Sequence, residues 1–364
     1  MNRVNDMKLV LADGSVFEGY SFGARKEVIC EIVFNTSMVG YQEIITDPSY
    51  TYQGVVMSYP LMGNYGINLE DNESETPTIS ALIVRDLNDI PSNFRSTNSL
   101  SEILAYSGIP GLGGVDTRRL VHRIREYGAC LGIITSIETP QLQALEKIKQ
   151  YEEPHDAVRK VSRKVAMLYK SEHPKFQVVA VDCGIKMNII RCLNELGCDV
   201  TVVPFDTKVE EVMKYEPDGL FISNGPGDPV DVKETISLIK GLLGKLPMFG
   251  ICLGHQMIGL ACGAETYKLK FGHRGGNHPV MNLKTDKIDI TSQNHSYAIN
   301  EESLKHTKLK VTHINMLDKT VEGMECVEDK VFSVQYHPES APGPMDSYHL
   351  FDQFIAMMED EQHA

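Results

Sequence analysis

Three short stretches of this 364-residue chain carry side chains able to act together on an acyl group. In "FGICLGHQ", residues 249–256, Cys252 lies between Gly250 and Gly254 at the end of an apolar run. A G-x-C-x-G sequence joining a strand to a helix is the cysteine form of a nucleophile elbow. The sharp turn pushes the side chain outward, and the glycines let neighbouring backbone pass without a Cβ in the way. The helix N-terminus that follows favours thiolate over thiol and offers N–H groups to an oxyanion. The competing reading is a structural cysteine beside a tight turn. The other seven cysteines lack this setting and read as small buried residues.

The second stretch, "VFSVQYHPES", is an apolar run followed by His337-Pro338-Glu339. Pro338 keeps the chain extended, and extended residues two apart point to the same side. Glu339 can therefore hold one ring nitrogen of His337 and leave the other for a nucleophile. The sequence leaves open whether residues 252 and 337 meet. The third stretch is "SNGPGDP", residues 223–229, where glycines allow backbone to approach a ligand and N–H groups to face an anionic oxygen. It is not a phosphate loop. The chain has no G-x-x-x-x-G-K-[ST], and Asp116 stands where Gly111-Leu112-Gly113 would need a third glycine.

The elements that must position these residues show a change of rhythm. Residues 1–150 read as a mixed β/α domain, beginning with a hairpin signal around Asp13-Gly14 in "KLVLADGSVFEGYSFG". "GVDTRRLVHRIREYG" reads as a helix capped by Asp116 and ended by Gly128. Its Arg118, Arg119, Arg123 and Arg125 suit a solvated face or a docking surface. Residues 151–175 are charged and Pro-bounded and read as a linker. From 176 to 364, strand-length apolar runs ("QVVAVD", "DVTVVPF", "GLFISN", "PMFGIC") alternate with helical patterns. That alternation implies an α/β domain with a mainly parallel central sheet flanked by helices. Cys252 then sits at the carboxyl end of a strand, where open α/β sheets bind ligands. "KFGHRGGNHP" reads as a glycine-shaped loop. Its His273 and His278 have no further metal-ligand pattern nearby, so no metal site is expected.

A net charge of −14 argues against a nucleic-acid face, which needs clustered basic residues. Eight cysteines without a C-x-x-C pair suit reduced thiols. The N-terminal residues have no signal-peptide apolar region, and no run reaches membrane-span length, so a cytoplasmic location without membrane contact is expected.

"SNGPGDP", "GICLGHQ" and "HPE", in this order, resemble the class I (triad) glutamine amidotransferases. "CEIVFNTSMVGYQEIITDPSY", "YPLMGNYGIN" and "GVDTRRLVHRIREYGA" extend the resemblance to the small, glutamine-hydrolysing subunits of carbamoyl-phosphate synthetases, over nearly the whole chain. The resemblance implies Cys252 as nucleophile, with His337 and Glu339 completing the triad. It implies glutamine contacts at Ser49, Gly225, Gly227, Leu253, Gln256, Asn294, Ser296 and Tyr297, with the N–H groups of Gly225 and Leu253 on the oxyanion and the pocket at the domain junction. Ser296 replaces the family's usual glycine, which strains the backbone only if φ is positive there. The resemblance further implies a large partner subunit that holds ATP and Mg, no cofactor in this chain, and ammonia used for carbamoyl phosphate, for pyrimidine or arginine synthesis. The alternatives are an amidotransferase subunit of another synthase, a free-standing cysteine hydrolase and a non-catalytic regulatory module.

Overall fold

The computed structural model describes residues 3–362, and the chain divides into two compact units between Pro154 and His155. In the first unit the strands are β1 (Met7–Leu11), β2 (Val16–Gly23), β3 (Val28–Asn35), β4 (Gln53–Met57) and the short β5 (Leu61–Met62). They continue as β6 (Ala81–Ile83), β7 (Asp86–Leu87), β8 (Pro110–Gly113) and β9 (Cys130–Ser136). Seven of them close a barrel in the order β1-β2-β8-β6-β4-β3-β9, and β5 pairs with β7 apart from it. The β1–β2 hairpin turns at Asp13-Gly14, with Met7 opposite Gly19. Barrel closure is the feature the sequence did not announce. It depends on the parallel pairs β3–β4, β4–β6 and β6–β8, which join segments distant in the chain.

Among the described residues of this unit lie four α-helices: α1 (Tyr41–Thr46), α2 (Leu100–Tyr106), α3 (Thr117–Tyr127) and α4 (Gln141–Gln150). Asp116 caps α3 by accepting from the Arg119 N–H, and Gly128 ends the helix. Two of the four arginines of α3 are engaged within the unit, while Arg118 and Arg125 are exposed. Arg123 pairs with Asp13 at 2.7 Å and lies 3.7 Å from the Tyr127 ring centroid, while Arg119 lies over Phe17. Ala144 and Ile148 of α4 pack on Val10 and Ile133.

The second unit is built on one ten-stranded sheet. Its strands are β10 (Met167–Tyr169), β11 (Phe176–Asp182), β12 (Cys198–Pro204), β13 (Gly219–Ile222) and β14 (Met248–Ile251). They are followed by β15 (Thr266–Asn282), β16 (Lys287–Ile299), β17 (Lys310–Asn315), β18 (Val321–Cys326) and β19 (Val331–Val334). The order is β10-β12-β11-β13-β14-β19-β18-β17-β15-β16. The five central strands from β12 to β19 run parallel, and antiparallel strands extend both edges. The helices are α5 (Ala157–Val161), α6 (Met187–Glu195), α7 (Val209–Met213), α8 (Lys233–Leu242), α9 (Leu253–Ala261), α10 (Glu301–Leu304) and α11 (His349–Gln362). One apolar layer holds Val179, Leu220, Met248, Leu238 and Met257; the other holds Val178, Phe221, Phe249, Phe351 and Phe354. Because strand side chains alternate, near-continuous apolar strands fill both layers.

Two expectations change. Residues 151–175 contain α5 and β10, and Arg163 donates from its backbone and side chain to Asp182 of β11. The glycine-rich "KFGHRGGNHP" is strand rather than loop. It lies within β15, which pairs with β16 and takes up its irregularity as register shifts between Lys268 and His273 and between Gly275 and His278. Among the described residues no helix is long and apolar enough to cross a membrane.

Candidate active site

The three chemical stretches converge because their strands are neighbours. "SNGPGDP" follows β13, Cys252 follows β14 and "HPE" follows β19, and these strands lie side by side and parallel. Ile251 pairs with Val334, and the Cys252 N–H donates to the Val334 carbonyl at 2.9 Å. Parallel strands in register place their carboxyl ends together, so residues 85 positions apart share one crevice.

Cys252 adopts φ 55° and ψ −103°, a conformation L-residues rarely take, between the end of β14 and the start of α9. Gly254 accounts for part of the turn: a Cβ there would sit 2.2 Å from the Ile222 carbonyl oxygen of β13. The Cys252 Sγ donates to the Asn294 carbonyl at 3.5 Å. Leu253, as the first residue of α9, belongs to the turn whose N–H groups have no intrahelical partner. Gly225 is fitted as tightly as Gly254, with the Cys183 carbonyl oxygen 2.1 Å from where a Cβ would stand. Gly227, at φ 88°, is exposed.

His337 Nδ1 lies 2.7 Å from Glu339 Oε1, with both side chains buried. Burial disfavours the imidazolium, but Glu339 and then Cys252 outweigh it and raise the His337 pKa to about 10. Among the described residues the nitrogen left by Glu339, Nε2, has no hydrogen-bond partner of ordinary geometry. Burial likewise opposes ionisation of Glu339, yet Lys186 and then His337 hold it down at about 2.

Lys186 was not found from the sequence. It lies immediately before α6, is 3% exposed, and donates from Nζ to Glu339 Oε1 at 3.0 Å and to the Ser340 carbonyl at 2.5 Å. Asn188 adds a bond to the Glu339 carbonyl at 2.5 Å. Only a lone lysine before an apolar helix marks this clamp in the sequence, and that signal is too common to read. Lys186→Met leaves Glu339 buried without its main cation. We expect a loss of about 3 kcal/mol in urea unfolding at pH 7. The sign with pH follows from the lowered pKa: the contribution of Glu339 is full above its usual 4.5 and fades as pH falls toward about 2.

Gln256 is 2% exposed, and its Nε2 donates to the Tyr297 carbonyl at 2.8 Å and to Gln335 Oε1 at 3.0 Å. Both amide hydrogens are thus engaged, which leaves Oε1 to accept from a ligand. Asn294, Ser296 and Tyr297 all belong to β16. The backbone at Ser296 does not take positive φ, so the replacement of glycine carries no strain, and its Oγ accepts from Arg274 at 2.5 Å. His255 points into the interior toward Ser333 Oγ at 3.0 Å, and burial lowers its pKa to about 3. Ser49 is in the first unit, on the 3-10 turn Pro48–Tyr50, where its N–H donates to Asp47 Oδ1. Among the described residues His273, His295 and Glu322 each bring one possible metal-ligand atom within 4.8 Å of the others. His295 stands opposite His273 on the next strand, β16, and Glu322 comes from β18, so pairing across the sheet and not local spacing brings them together.

Residues 179–357 match the model of the class-I glutamine amidotransferases, and residues 9–134 match that of the carbamoyl-phosphate synthase small chain, CPSase domain. The carbamoyl phosphate synthase small chain of Staphylococcus epidermidis is 53% identical over 97% of this chain and 96% of its own. The carbamoyl phosphate synthase pyrimidine-specific small chain of Bacillus subtilis is 51% identical over the same shares. Among solved structures, a glutamine amidotransferase from Thermotoga maritima aligns with 52% of this chain and 86% of its own, at 18% identity and a TM-score of 0.39.

Proposed function

Because the chain belongs to the carbamoyl phosphate synthase small chain family, we infer that it hydrolyses glutamine and hands the ammonia to a separate large subunit. The observation that carries the residue assignment is the line Cys252–His337–Glu339, with Glu339 on Nδ1 of an imidazole that Cys252 helps keep protonated.

In this reading the Cys252 thiolate attacks the side-chain amide carbon of glutamine. The carbonyl oxygen takes the negative charge and is met by the N–H groups of Leu253 and Gly225. His337 passes its proton to the leaving nitrogen, ammonia departs, and a γ-glutamyl thioester remains on Cys252. His337, now neutral, takes a proton from water as the water attacks the thioester. Glutamate leaves and the thiolate–imidazolium pair is restored. Gln256 Oε1, an acceptor, suits the α-ammonium of glutamine, and β16 supplies the opposite wall through Asn294, Ser296 and Tyr297.

ATP and Mg are assigned to the large subunit, since this sequence carries no phosphate-loop motif. Ammonia has to travel unprotonated to react there, so water exclusion between the two sites belongs to the proposal. Mixing the purified chain with an ATP-dependent large subunit, bicarbonate and glutamine tests the assignment. Glutamine hydrolysis should rise on mixing and carbamoyl phosphate should form. Hydrolysis indifferent to the large subunit would point to a free-standing hydrolase instead.

A further inference from the structure

Beside the pocket, but outside the catalytic line, a chain of buried polar side chains runs from β18 to Gln256. Glu322 is fully buried, and its Oε2 accepts from Gln293 Nε2 at 2.9 Å while Oε1 accepts from Asn315 Nδ2 at 2.9 Å. The other end of the Gln293 amide, Oε1, lies 2.8 Å from His295 Nε2. His295 Nδ1 faces the Tyr297 carbonyl at 2.7 Å. That same carbonyl accepts from Gln256 Nε2.

A carbonyl can only accept, so His295 donates from Nδ1. Two arrangements then close the chain. In one, His295 is protonated at both nitrogens, a form that burial and then the nearby His273 disfavour, Gln293 accepts with its oxygen, and Glu322 is a carboxylate. In the other, the Gln293 amide is reversed and donates to neutral His295, and the Glu322 carboxyl donates to the Gln293 oxygen. The same number of protons satisfies every link both ways, and each arrangement orients the Tyr297 carbonyl by two donors. Without an acid or amide at 322, the buried amides of Gln293 and Asn315 lose a partner, an expensive loss in a low-dielectric interior.

We propose that Glu322 is a positioning residue for glutamine binding, acting through Gln293, His295 and the Tyr297 carbonyl to aim the Gln256 amide. The proposal rests on Gln256 as a glutamine contact. It separates Glu322 from the catalytic line, so glutamine affinity depends on it while the chemical step does not.

The test uses the full chain with its large subunit and measures kcat and KM for glutamine, together with the rate of Cys252 alkylation by iodoacetamide. Glu322→Leu is expected to raise KM about 10-fold, the size of one mis-set hydrogen bond, with kcat and alkylation within about 3-fold of the parent. Glu322→Gln should restore KM to within about 3-fold. A glutamine at 322 can donate to Gln293 while its oxygen keeps the Asn315 bond. Gln293→Met cuts the same chain at its middle and should give the same KM change, so the test survives a Glu322→Leu chain that does not fold. The double variant should be no worse than either single one, because both remove one path.

An unchanged KM in Gln293→Met, additive effects in the double variant, or no rescue by glutamine would overturn the proposal. So would stoichiometric zinc found in the purified chain by elemental analysis and lost in Glu322→Leu, since His273, His295 and Glu322 would then be metal ligands. A parent chain with no glutamine hydrolysis at all would instead defeat the reading on which the proposal stands.

Discussion

Cys252→Ala is expected to lower glutamine hydrolysis by at least about 1,000-fold, while synthesis of carbamoyl phosphate from added ammonia by the chain and its large subunit continues. The size follows from the absence of a second route. The oxyanion donors act only on a tetrahedral centre, and the other described cysteine between a strand and a helix, Cys183 after β11, is fully buried with its Sγ 3.7 Å from Thr235 Oγ1. Burial raises the pKa values of Cys30, Cys183 and Cys198, to about 12 for Cys30 and Cys198 and further for Cys183, so none of these offers a replacement thiolate. Fold stability should change little, because Cys252 contributes a small side chain at a strained φ of 55°. A glutaminase assay beside an ammonia-dependent assay separates loss of the nucleophile from loss of the complex.

The second large effect belongs to His337. His337→Asn removes the proton carrier for both half-reactions and should cost about 1,000-fold in kcat for glutamine, again with ammonia-dependent synthesis retained. The milder Glu339→Gln gives a sharper test through its pH dependence. Burial presses His337 toward neutrality, and Glu339 is the largest influence holding it protonated, to about 10. The imidazolium and its share of stability are complete below the unperturbed 6.5 and lost as pH rises through about 10. Replacing the carboxylate by an amide should therefore move the alkaline limb of kcat/KM to lower pH. A limb that stays in place in Glu339→Gln would mean that Glu339 does not set the charge on His337.

Cys252 and the His337–Glu339 pair were legible because their chemistry is local. A G-x-C-x-G turn reports its own geometry, and an i, i+2 pair on extended chain reports its own alignment. That the two meet was not legible, since it depends on β14 lying beside β19 although 83 positions separate Ile251 from its partner Val334. The same limit hid Lys186, whose partner Glu339 is 153 positions away. It also hid the Glu322–Gln293–His295 chain, which exists only once β16 and β18 are in one sheet. The glycines of "KFGHRGGNHP" were misread as a loop because glycine marks turns and bulges alike, and here the bulges of a paired strand absorb them. In the first unit the hairpin and the Asp116-capped helix were readable from turn and cap residues, whereas barrel closure rests on parallel pairings that no short stretch encodes.

The central claim is a covalent intermediate on Cys252. Rapid acid quench of the complex during glutamine turnover, followed by proteolysis and mass spectrometry, tests it directly. The account predicts one added glutamyl group on the peptide containing Cys252, absent from the Cys252→Ala chain. Turnover at full rate with no adduct there, or with the adduct on another peptide, would contradict it.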